Sequence, residues 1–222
     1  MNSSRLESLA PLSGAFSVLL IFASAGIFGF YEYLPAPEVI QSYFEENVAR
    51  VGAAGYLGLV AAFLMLWFAG SLHKGLRQYE GGHGRLSRIA FGATVAAGAA
   101  WGMAFSVLVI GASLAGSPGG IDAQAAVLLN QLYSNFTVGL GGISTAAMML
   151  ASALIALRTG MFRPWIAWLT IVIAVGLFTP FNWIVLGFAI VWMLAVSWWL
   201  YRLEQTAAQV AGPGRRRPGK SR

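Results

Sequence analysis

The chain contains no cysteine in its 222 residues. Disulfides, thiolate metal sites and cysteine nucleophiles are therefore excluded. Charge is scarce as well: Asp, Glu, Lys and Arg together make up 10% of the residues, where a soluble domain carries about a quarter. A water-soluble fold of this size would lack the charge to clothe its surface. The two histidines, His73 and His83, both fall in one polar connection between apolar runs, so neither can ligate a haem or chlorophyll at mid-membrane depth. Their spacing with Glu80 matches no recognised metal pattern. No phosphate loop, serine triad or pair of carboxylates within an apolar run is present. No catalytic residues, metal ligands or cofactors are accordingly expected, and the balance leans against an enzyme.

What is abundant is apolarity. Hydrophobic residues account for 58% of the chain and glycine for 27 positions, a composition suited to helices that approach closely in lipid through small residues. The expected fold class is all-α, a polytopic transmembrane bundle of six helices. A crossing needs about 20 apolar residues, and the runs Ala15 to Tyr33, Val51 to Gly70, Ile89 to Gly116 and Phe136 to Leu157 qualify. The last run, Trp165 to Leu200, would measure about 54 Å as one helix, too long for a single crossing. A break at Thr179, Pro180, Phe181 and Asn182 splits it into a hairpin, because proline removes a backbone donor and disfavours a helical residue before it.

Six crossings from a cytoplasmic N-terminus put all 14 basic residues except Arg50 on the cytoplasmic side, as the positive-inside bias requires. Five would place the basic tail Arg215, Arg216, Arg217, Lys220 and Arg222 outside. Both termini are accordingly expected in the cytoplasm. Residues 1–210 form the transmembrane domain, and 211–222, rich in Gly, Pro and Arg, a disordered tail against anionic headgroups. The small-x-small triplet Ala23-Ser24-Ala25 resembles a signal-peptide cleavage site, but the apolar run continues unbroken to Phe30, so it is read as the first helix. The net charge of +6 sits in short segments beside apolar runs, and no nucleic-acid partner is expected.

On the external side, Val39, Ile40, Tyr43, Phe44 and Val48 recur at helical spacing across Glu38 to Val48, marking a short amphipathic helix. Asp122 is placed to cap the helix that follows Ser117 to Gly120. That fourth helix, from Ala123 to Leu157, would be about 52 Å long and must protrude, tilt or bend near Gly139, Gly141 and Gly142. The connection Ser71 to Arg88 reads as a flexible hairpin. Gly98, Gly102 and Ser106, and Gly142 with Ala146, are read as close-packing positions. Trp165, Trp168, Trp183, Trp198 and Trp199 are assigned to the interface, and Trp67, Trp101 and Trp192 to the core.

Polar groups adjoining apolar helices are concentrated in two places. Glu32, beside Tyr31 and Tyr33, ends the first helix. Asn130, Ser134, Thr137, Gly141 and Ser144 fall on one face of the fourth at spacings of three and four, with Tyr133 alongside. Glu32, Tyr31, Asn130, Tyr133, Ser134 and Thr137 are the candidate ligand-binding set, competing with plain interhelical hydrogen bonding and belt solvation.

The helix Asn130 to Leu157 and the turn Arg158-Thr159-Gly160-Met161-Phe162-Arg163-Pro164-Trp165 resemble those of uncharacterised bacterial six-helix integral membrane proteins of the domain-of-unknown-function type. The resemblance implies a location in a bacterial cytoplasmic (inner) membrane and brings no activity. The leading expectation is a non-enzymatic membrane protein that binds a lipid-like or small amphipathic ligand, or supports a membrane complex, through its outer half. Its partners would be membrane lipids, such a ligand or other membrane subunits. A small-molecule transporter is the alternative and an intramembrane enzyme the third reading.

Overall fold

Two of the apolar runs, Val51 to Gly70 and Phe136 to Leu157, lie within helices much longer than the runs themselves, and glycine, proline and one aspartate mark helix boundaries. A computed structural model of the chain describes residues 9–29, 36–179 and 182–210. Among the described residues it has seven helices and no strand: α1 (Leu12–Phe28), α2 (Pro37–Glu46), α3 (Val48–Glu80), α4 (Arg85–Ala115), α5 (Ala123–Thr159), α6 (Pro164–Gly176) and α7 (Asn182–Val210). Helices α3, α4 and α5, and α7 over Ile184–Thr206, are long and apolar enough to cross a membrane; α1 and α6 are apolar but shorter, at 17 and 13 residues. The tail 211–222 lies outside the described residues.

Local chemistry fixes the boundaries. Proline opens α2 and α6 at the first helical position, where its missing N–H costs nothing. Asp122 caps α5 as its position suggests, accepting the Ala125 N–H at 2.9 Å. Gly160 ends α5 at a φ of +67°, a left-handed conformation that favours glycine. The connection from Ser71 to Arg88 is far more ordered than a flexible hairpin: α3 stays helical to Glu80, and only residues 81–84 turn. The reason is tertiary, since Leu72 and Leu76 are buried in the core and carry the polar residues between them into the helix.

Helix α3 is the centre of the bundle, packing along α4 on one side and α1 on the other. Helix α5 lies on α4, α6 on α5, and α7 closes against α1 and α6. Two serines set the α1–α3 register. Ser17 Oγ donates to the Ala61 carbonyl at 2.8 Å and Ser24 Oγ to Ala54 at 2.7 Å, both buried, so seven residues forward in α1 correspond to seven back in α3 and the helices run antiparallel. Each such bond is worth about 0.6 kcal/mol in a membrane bundle. Helices α6 and α7 are also antiparallel: Trp192 Nε1 donates to Thr170 Oγ1 at 3.0 Å, and Val185 packs at Gly176. The break expected near Thr179 is therefore present, although Pro180 and Phe181 lie outside the described residues.

Of the glycines read as close-packing positions, Gly98 does meet α3, with the Ala62 carbonyl and Met65 3.4 Å from an added Cβ, but the tightest contacts fall on glycines not singled out in the sequence. A Cβ at Gly58 would lie 2.0 Å from the Phe105 ring, and one at Gly111 2.4 Å from Phe44, whereas one at Gly142 would meet nothing within 4 Å. Small-residue spacing shows that helices can approach, but the partner's large side chain decides where they do. Trp101 and Trp192 are buried at 2% and 8% exposure, as assigned to the core, but Trp67 is 62% exposed and packs against Phe63 on the outer face of α3. Depth along a helix does not fix burial, because the two are independent in lipid.

Candidate functional site

The two ends of the bundle differ in charge. At the end where α2 lies, the described acidic and basic residues are Glu38, Glu45, Glu46, Asp122 and Arg50; at the end of the 81–84 hairpin they are His73, Lys74, Arg77, Glu80, His83, Arg85, Arg88, Arg158, Arg163, Arg202 and Glu204. Of the ligand-binding candidates, Asn130, Tyr133, Ser134 and Thr137 belong to the α2 end. Tyr31 and Glu32 lie outside the described residues.

Tyr133 is drawn into an aromatic cluster. Its ring centroid lies 5.2 Å from that of Phe28 and 6.1 Å from that of Phe105, and Phe28 in turn packs edge-on against Tyr43 at 5.9 Å. The amphipathic α2 holds that cluster down, with Ile40 and Phe44 buried and Glu38 and Glu45 exposed. Rings thus fill the space beside Tyr133 where the polar face had suggested an opening. Asn130 is half-buried and Ser134 exposed. Thr137 donates its hydroxyl to the Tyr133 carbonyl within the same helix at 2.7 Å.

The expected single polar face does not run through α5 because the helix changes winding. Residues Asn135–Leu140 form a π-helical segment, with Gly141 N–H bonded to the Phe136 carbonyl five residues back. Each π turn takes in an extra residue, so the residues beyond it are rotated relative to those before. Upstream, Ser134 is exposed; downstream, Gly141 and Ser144 are buried. The glycines near position 140 point to a bend but not to its nature. The Trp101 indole edge packs on Gly141, where a Cβ would sit 2.3 Å from Nε1. That Nε1 and Ser197 Oγ are the buried side-chain polar atoms without a hydrogen-bond partner among the described residues.

Two side chains close the end of α1. Tyr43 donates its hydroxyl to the Phe28 carbonyl, and Arg50 Nε donates to the Ile27 carbonyl. Terminal helix carbonyls lack partners within the helix, and a guanidinium there also opposes the negative end of the helix dipole.

Among the described residues, an open space at this end lies on the outside of α3 and α4. A shallow groove of about 560 Å³ runs between them, lined by Ala49, Gly52 and Tyr56 of α3, Ala112 and Ser113 of α4, and Gly116. A Cβ at Gly52 would make only an ordinary contact with Ala112 at 3.6 Å. Toward the middle of α3 the same outer face turns bulky, with Val60, Phe63 and Trp67 exposed. The groove is therefore lined mostly by small side chains, with Val48, Val109 and Tyr56 among them, and ends against large ones. Sequence reasoning missed it because glycine and alanine at these spacings read equally well as helix contacts.

At the hairpin end, beyond the apolar part of α3, Glu80 accepts the N–H groups of Leu86 and Ser87 at 2.7 and 2.8 Å and so caps the start of α4. Burial pushes its carboxyl up, but the bonds from Ser87 and Leu86 and the positive charge of Arg77 outweigh this and hold it below the usual range. His73 Nδ1 lies 3.1 Å from the Ser87 carbonyl, with its ring against Phe91.

No family model, curated protein or solved structure matches the chain.

Proposed function

We propose that this is a non-enzymatic, multi-pass protein of a bacterial cytoplasmic membrane that holds a lipid-like or small amphipathic ligand against its outer half. The observation that carries this reading is the α3–α4 groove, which opens sideways from apolar helices and so faces lipid. Small side chains along its length leave room for an acyl chain, while Tyr56 and Ser113 supply polar atoms at its edge, the usual composition of a site that is mostly apolar with a few polar groups.

The charge difference between the ends supports the orientation. With the hairpin end in the cytoplasm, Lys74, Arg77, Arg85, Arg88, Arg158, Arg163 and Arg202 obey the positive-inside bias, and both termini fall on that side. Six crossings require α1 and α6 to span at about 26 and 20 Å, short of a hydrocarbon core of about 30 Å. Local thinning of the bilayer accommodates such helices at modest cost.

The test is native mass spectrometry of protein released gently from its own membrane. Wild type is expected to keep a phospholipid that Gly52→Leu loses while melting at the wild-type temperature, because leucine fills the groove and is tolerated facing lipid. Equal retention in both overturns the groove assignment. Loss in Asn130→Leu or Ser134→Leu instead would return the ligand to the face of α5.

A further inference from the structure

The turn between α5 and α6 has a construction that the groove does not explain. Most cations at the hairpin end are engaged within the protein. Lys74 pairs with Glu204 at 3.0 Å, Arg77 donates to the Gly81 and Gly82 carbonyls, Arg88 donates to the His83 carbonyl, and Arg202 lies over the Trp198 ring at 5.1 Å. Arg158, in the last turn of α5, and Arg163, immediately before α6, are both exposed and have no partner among the described residues.

The turn that carries them is anchored. Gly160 reverses the chain, Met161 packs against the core, and Phe162 meets the Trp199 ring at 4.9 Å, with Tyr79 on Trp199 at 5.7 Å. The apolar residues of the turn thus point inward and the two guanidiniums remain on the surface. Directly after them Trp165 and Trp168 are 61% and 59% exposed and begin a stripe continued by Leu169 and Val172. Such a stripe faces acyl chains, with its tryptophans at headgroup level.

We propose that Arg158 and Arg163, flanked by Trp165 and Trp168, form a docking site for the headgroup of an anionic phospholipid. Charge complementarity selects this occupant. Two unpaired guanidiniums match a phosphodiester, which they can bind bidentately, and the tryptophan stripe matches the glycerol and upper acyl region below it. A zwitterionic lipid offers the same phosphate, but its ammonium group opposes the second arginine. The site rests on membrane insertion and not on the groove, and it lies at the opposite end of the bundle.

The experiment places the full chain in nanodiscs of equimolar phosphatidylcholine and phosphatidylglycerol and counts the lipids retained on release into a native mass spectrometer. Wild type should keep phosphatidylglycerol in preference to phosphatidylcholine. The double variant Arg158→Gln/Arg163→Gln should lower that retention by about fivefold for each charge removed, and Arg158→Lys/Arg163→Lys should recover part of it. Arg85→Gln removes an exposed, unpartnered arginine from the other turn, where no tryptophan stripe follows, and should leave retention unchanged. Gly52→Leu should do the same, separating this site from the groove. Because neither arginine makes an internal contact, the double variant should melt with wild type. The proposal is overturned if wild type shows no preference for phosphatidylglycerol, if the double glutamine variant keeps it, or if Arg85→Gln loses as much.

Discussion

Arg50, near the start of α3, donates from Nε to the carbonyl of Ile27 in the last turn of α1. It is the basic residue that breaks the charge pattern of the chain, and the contact explains its place. A guanidinium at that end is held by a helix terminus, which attracts positive charge and has carbonyls to spare. Replacing Arg50 by Gln should lower stability in detergent by about 1 kcal/mol, and Tyr43→Phe by a similar amount through the Phe28 carbonyl. Thermal unfolding of both single variants and the double variant measures this, and the paired effect should be less than additive because the two side chains close one terminus. Unchanged melting in Arg50→Gln counts against the capping role.

Two glycines of similar appearance should respond oppositely to alanine. At Gly58 the added Cβ meets the Phe105 ring of α4, which is buried between α3 and Tyr133 of α5, so Gly58→Ala should destabilise by roughly 1–3 kcal/mol. At Gly142 nothing lies within reach, and Gly142→Ala should be neutral or slightly stabilising through helix propensity. Comparing their melting temperatures with wild type decides both.

Glu80 links α3 to the first turn of α4. Its carboxyl is held below the usual value of 4.5 in the folded protein, so the contribution is complete above that value and is lost as the pH falls through the lowered folded one. The stability difference between wild type and Glu80→Gln should therefore be present at pH 7 and shrink in acid, below the usual carboxylate range. A difference that persists unchanged into strong acid would show that the cap does not depend on the charge.

The proposed orientation can be read by thiol labelling, since the chain has no cysteine of its own. Single cysteines at Ser42 and Gly119 should react with an impermeant reagent in intact cells, and cysteines at Gly82 should not until the membrane is opened. All three positions are exposed in the structure, so protection reports the side of the membrane. Labelling at Gly82 with protection at Ser42 inverts the topology.

Much of the helical layout was legible in the sequence because it follows from one-dimensional signals. Apolar run length located α3, α4 and α5, the Asp122 cap started α5, and the Pro180 region divided α6 from α7. What depends on a partner was not legible. Gly58 is tight only because Phe105 stands opposite, Trp67 faces outward although it lies deep, and Tyr133 packs on Phe28 because α2 folds over the end of α1. The polar face of α5 assumed a constant 3.6-residue turn, and no composition rule marks where the winding changes. The groove was hidden for a related reason, since small residues specify a surface with nothing on it only when the neighbouring helix is known.

The π segment of α5 gives that helix two independent azimuths. One residue of an α-helix corresponds to about 100° of rotation, so the extra residue in the winding lets the first half of α5 present Tyr133 to Phe28 while the second half presents Gly141 to Trp101. Neither contact constrains the other through a rigid cylinder. Deleting one residue between Asn135 and Leu140 would return α5 to uniform winding and force the halves to share one azimuth, so that only one of the two contacts could be kept. Substitutions that leave the length of α5 intact carry no such conflict, and the length of this helix is therefore under tighter constraint than the identity of the residues that make the extra turn.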